Sequence, residues 1–100
     1  MTLHTMDGKL FREMNHQMYD QIPLRCLDVA ECGRVAAVCS PESMRRRFYD
    51  MGIAKGTVIR CLFRSPGGDP TAYAVRGAVI AIRTRDAEDV LVTPISGAVT

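Results

Sequence analysis

Four cysteines and two histidines are the residues best suited to chemistry in this chain: Cys26, Cys32, Cys39, Cys61, His4 and His16. Thiolate and imidazole ligate soft metals, and a thiol beside an imidazole makes a nucleophile with its base. The spacing favours neither use. No CxxC pair occurs, so zinc-ribbon or thioredoxin-type chemistry has no support. Both histidines fall within the first sixteen residues, and no Ser or Cys has a nearby His. The carboxylates, among them Asp28, Glu31, Asp50, Asp86 and Glu88, fall at expected turns, caps or helix surfaces. The expectation is therefore a protein that is not an enzyme, with no catalytic residue, no cofactor and no dedicated metal site. Free thiols behave as small hydrophobes, and Cys61 sits in an expected strand. One alternative stays open: Cys32 and Cys39, flanking another strand, could approach each other and hold a soft metal with His4 or His16.

The second chemical feature is Arg45-Arg46-Arg47. On a helix these side chains point about 100° apart and cannot make one flat patch alone. A solvated helix surface, a partner-facing patch with Arg60, Arg64, Arg76 or Arg83, and phosphate recognition are the three readings. A net charge of +2 is a weak bias for a nucleic-acid binder. The chain has no run of about 18 apolar residues to span a membrane and no secretory pattern at its start. A cytoplasmic location is the expectation, with any membrane contact indirect.

The elements that position these residues follow from pattern. One hundred residues suit one domain, and 47% apolar content without Trp implies an aliphatic core. Met6, Leu10, Phe11, Met14 and Met18 fall at helical spacing, stopped by Pro23. Residues 1–23 thus read as an amphipathic extension that completes the core, binds a partner or forms a homo-oligomer. Leu24 and Leu27 lie in a short turn that Cys32-Gly33 ends, and Arg34 to Cys39 reads as the first strand. Ser40 is the expected cap of a helix from Pro41 to Met51, with Phe48 and Met51 buried, Arg45 exposed and Gly52 as its stop. Lys55-Gly56 turns the chain into Thr57 to Arg64, where Ile59, Cys61 and Phe63 alternate and are expected inside. Pro66-Gly67-Gly68-Asp69-Pro70 is a hairpin connection, not a phosphate loop, since no Lys-Ser/Thr and no helix follow it. Tyr73 and Val75 alternate on the return strand, Gly77 turns to Val79 to Arg83, and Val90 to Thr93 closes the set. The fold class is mainly β: a small closed five-stranded barrel with one inserted helix over residues 24–94, then a tail over 95–100.

The ordered runs R-R-F-Y-D-M-G-I-A-K-G-T, P-G-G-D-P, Y-A-V-R-G-A-V-I-A-I-R and D-A-E-D-V-L-V, after P-L-R-C-L-D-V-A-E-C-G-R-V, resemble the FeoA family, ferrous iron transport protein A. The resemblance covers about Leu24 to Val92. It implies an SH3-like barrel and a cytosolic partner for the large GTP-binding ferrous-iron permease (FeoB-like). The residues expected to meet that partner are Arg45, Arg46, Tyr49, Pro66, Gly67, Gly68 and Asp69, while Phe48, Met51, Gly52, Gly56 and Gly77 hold the fold. Two other classes remain: a transition-metal-linked sensing domain like the accessory barrel of iron-dependent repressors, and a small-barrel nucleic-acid binder using Phe63 and Tyr73 as stacking platforms.

Overall fold

The computed structural model describes residues 21–95; the Met6–Met18 stripe and residues 96–100 lie outside them. The described chain is one antiparallel sheet of six strands in the order β1-β6-β2-β3-β4-β5. The strands are β1 Ile22–Pro23, β2 Cys32–Val38, β3 Val58–Arg64, β4 Thr71–Val75, β5 Ala78–Ile82 and β6 Val90–Ile95. A 3-10 turn, Leu24–Cys26, follows β1. Helix α1, Glu42–Asp50, lies between β2 and β3, and the one-turn helix α2, Thr84–Ala87, lies between β5 and β6.

The expected five-stranded closed barrel is corrected to an open sheet of six. The added strand is the two-residue β1, too short to show alternation. No ladder joins β1 to β5 among the described residues. The sheet nevertheless curls around one core, because Ile22 on one edge strand and Ile82 on the other belong to the same buried cluster. Two register shifts add twist: one between Val35 and Ala37 in β2, one between Cys61 and Phe63 in β3.

The β3 shift overturns the inward placement of Phe63. Ile59 and Cys61 have no exposed surface, but the extra residue flips the alternation and leaves Phe63 56% exposed. Cys32-Gly33 opens β2 rather than ending a turn, and Gly33 packs against Val92. Cys32 therefore opens a seven-residue strand and Cys39 follows its far end. At ~3.3 Å per residue they cannot meet. None of the four cysteines forms a disulfide among the described residues, and Cys39 alone of them is exposed.

Helix α1 starts without the expected cap. Pro41 occupies the N-cap position with no side-chain bond, its carbonyl accepting from the Arg45 N–H at 2.8 Å. Ser40 is buried, and its hydroxyl has no partner among the described residues. The end is as the sequence predicts. Gly52 adopts φ 93°. Its N–H donates to the Tyr49 carbonyl at 2.9 Å, and the Ile53 N–H donates to the Phe48 carbonyl at 2.8 Å. That pair of bonds is a Schellman motif, and buried Phe48 and Ile53 supply its apolar contact. Met51, expected buried, is half-buried against the core rather than within it, because it follows the last helical residue and faces an open groove.

Candidate partner-binding surface

Phe48, fully buried, fixes the inner face of α1. Met44, Arg47 and Met51 lie beside it and face Ala81, Ile82 and Arg83 across a groove of about 390 Å³. At 100° per residue, Arg45, Arg46 and Tyr49 fall together on the opposite face. Arg46 is exposed and Tyr49 is 52% exposed. Arg45, expected exposed, is half-buried, being the member of that face closest to the Phe48 side. The three sequential arginines thus divide: Arg45 and Arg46 outward, Arg47 onto the groove.

The hairpin residues serve two ends. Pro66–Gly68 forms an exposed 3-10 turn, closed by the Gly68 N–H donating to the Ser65 carbonyl at 2.7 Å. Asp69 does not project freely. Its Oδ1 accepts from the Thr84 N–H at 2.9 Å and from the Thr84 hydroxyl at 3.2 Å, which caps α2 from fifteen residues away. Helix α1 and this hairpin border the same end of β5, one across the groove and the other through Thr84.

Of the arginines expected in a basic patch, Arg64 and Arg76 have structural work, as do Arg34 and Arg25 outside it. Arg64 donates to the Leu27 carbonyl at 3.0 Å, and Arg34 to that of Gly56 at 3.3 Å. Arg25 pairs with Glu88, a hydrogen bond that raises the guanidinium pKa. The Arg76 side chain lies over Gly52, its Cδ only 2.8 Å from where a Cβ would stand there. In the centre of the sheet Cys61 pairs with Tyr73 across β3 and β4. Burial raises the pKa of both groups, so both stay protonated and uncharged at neutral pH. Tyr73, 2% exposed, is unavailable as a stacking platform.

Among the described residues no three His, Cys, Asp or Glu side chains cluster as a metal site, and no helix is long and apolar enough to cross a membrane. The feature that pattern reading missed is the outer edge of β5. Ala78, Val79 and Ala81 are exposed, Val79 by 67%, and no strand pairs with that side among the described residues. The signal was present in A-V-I-A-I, which carries no polar residue on either face.

A curled antiparallel sheet with one helix set against its outer strand defines a small, mainly β module of the SH3-like kind. The FeoA domain model matches residues 22–94, and the chain belongs to the FeoA family. The FeoA-like protein of Clostridium acetobutylicum is similar at 30% identity and TM-score 0.72, over 83% of this chain and 96% of that one. FeoA of Stenotrophomonas maltophilia, described as a prokaryotic SH3 domain protein complexed with zinc, is 25% identical with TM-score 0.61, over 69% of this chain and 89% of that one. A manganese-dependent transcriptional repressor shares the fold at 16% identity and TM-score 0.70, over 92% of this chain but 55% of its own length. No curated protein matches.

Proposed function

We propose that this protein is a non-enzymatic, cytoplasmic accessory protein of bacterial ferrous iron uptake that acts by binding the large GTP-binding ferrous-iron permease. Family membership supports the transport setting. The Stenotrophomonas relative has been suggested as a ferrous iron transport activating factor. The observation that carries the binding mode is the outward face of α1. A helix anchored by buried Phe48 and stopped by a Schellman motif presents Arg46 and Tyr49 to solvent on a rigid base. Arginine and tyrosine on such a base are the residue types that dominate interface energetics. The Pro66–Gly68 tip, exposed beside the same end of β5, is the second element of this surface.

Because Arg45 is half-buried, Arg46 and Tyr49 make the cleaner test. Arg46→Glu with Tyr49→Ser leaves the melting temperature nearly unchanged, since exposed positions cost within ~0.5 kcal/mol. It lowers capture of the permease from membranes and lowers iron uptake in complemented cells. Wild-type capture and uptake by this variant would place the interface elsewhere. The nucleic-acid reading loses a platform with Tyr73 buried, and likeness to the repressor is a likeness of fold.

A further inference from the structure

The groove between α1 and β5 has apolar walls and a rim of mixed charge. Met44, Phe48 and Met51 stand on the helix side, Ala81 and Ile82 on the strand side. Arg47 and Arg83 are matched in number by Asp50 and Asp86, so no net charge selects an ionic ligand there. At about 390 Å³ the groove falls among ligand-sized clefts, roughly 300–1,000 Å³, and takes several side chains rather than one.

The described residues begin beside this groove. Gln21 leads into β1, and the Leu24–Cys26 turn that follows β1 touches α2, with Arg25 paired to Glu88. Helix α2 carries Asp86 of the groove rim. Ile22, Phe48 and Ile82 share one buried cluster. Only residues 19–21 separate Met18 from β1; fully extended, they span ~10 Å. At helical rise Leu10, Met14 and Met18 cover ~12 Å, and Met44 and Met51 stand ~10 Å apart along α1. The stripe that Leu10, Met14 and Met18 make with Met6 and Phe11 contains no charged residue. Thioether side chains conform to irregular apolar gaps. A segment on so short a tether meets the groove at an effective concentration in the mM range, which an untethered chain has to exceed. Reach, apolar match and tether together favour this segment over a second copy or a foreign protein.

We propose that residues 6–18 of this chain dock their apolar stripe in the α1–β5 groove. The contact braces α1 from the side opposite Arg46 and Tyr49 and leaves that face free. Val79 stays outside the contact, since it does not line the groove. The permease reading does not rest on this contact, and capture of the permease does not test it.

The test is methyl NMR on the full chain with labelled methionine methyls, each assigned by substitution. Cross-relaxation is expected from the Met14 and Met18 methyls to Met51 and Ala81, unchanged on dilution and missing from isotope-filtered spectra of a mixed labelled and unlabelled sample. Met14→Asp with Met18→Asp should shift the Met44 and Met51 methyl signals and lower the melting temperature by about 5 °C, the effect of losing on the order of 1 kcal/mol in a domain of this size. Ala81→Glu, at an exposed position on the other wall, should abolish the same cross-relaxation. Arg12→Gln, off the stripe, should change neither reading. Three results overturn the proposal. No cross-relaxation between the two sets of methyls leaves the groove to an outside partner. Cross-relaxation that appears in the filtered spectra assigns it to a second copy. A melting temperature that Met14→Asp/Met18→Asp does not move, with Met44 and Met51 signals unshifted, places the stripe elsewhere.

Discussion

β6 and β5 are both largely apolar strands, yet one is flanked by a strand on each side and the other lies at the edge of the sheet. Val90 and Val92 of β6 have no exposed surface, because β1 and β2 flank that strand on its two sides. β5 has only β4 beside it, and Val79 is 67% exposed. Similar composition therefore does not decide burial between these two strands; their place in the sheet does. The enclosed strand supplies stability, and the open strand retains surface on which binding energy can be gained.

Stability effects of decreasing size can break this contrast. The largest lies in the enclosed centre and is read by pH. Cys61 and Tyr73 are held protonated by burial, above ordinary values of 9.0 and 10.0. The unfolded chain releases protons there that the folded chain retains. Stability is thus full below about pH 9 and falls as pH rises through those values, by ~1.4 kcal/mol per pH unit for each group. Urea midpoints between pH 7 and 11 should decline, and Tyr73→Phe should remove the part that begins near pH 10.

Val92→Ala should cost about 2 kcal/mol, from lost transfer energy and the cavity left behind. The same truncation at Val79 should stay within ~0.5 kcal/mol. Equal losses at the two positions, measured by urea denaturation, would mean that β5 is covered. At the start of β5, Gly52→Val should cost at least ~1 kcal/mol. It forces a β-branched residue to φ 93° and drives its Cβ against Arg76. At the other end, Asp69→Ala should cost ~1 kcal/mol by uncapping α2, and amide exchange should speed up at Thr84 first.

Much of this architecture was legible in the chain, and the failures have physical causes. The Gly52 stop was readable because positive φ at a helix end leaves a residue-type trace. The common face of Arg45, Arg46 and Tyr49 was readable because helical spacing fixes direction. Phe63 misled because a bulge leaves no mark in an otherwise alternating strand. Ser40 misled because the backbone turned one residue later, leaving its hydroxyl inside and Pro41 at the cap. β1 was invisible: two residues cannot alternate, and Ile22 and Pro23 are strand only by pairing with Val92 and Leu91. Asp69 looked like a loop-tip binding residue because its partner Thr84 is distant in sequence. The open edge of β5 went unread because apolar runs look the same whether enclosed or not.

The closure of the Pro66–Gly68 loop has a practical consequence. The Ser65 N–H donates to the Pro70 carbonyl at 3.0 Å, and Asp69 is tied to Thr84, so the base of the loop is fixed independently of its tip. A Cβ at Gly67 or Gly68 would meet nothing within 4 Å. The link between those two residues is thus a natural splice point. A short tag or a dye-bearing loop inserted there extends into solvent, and each doubling of loop length adds only ~0.6 kcal/mol of closure cost. Such an insertion would place a reporter beside the end of β5 without entering the sheet, giving a binding sensor built into the protein itself.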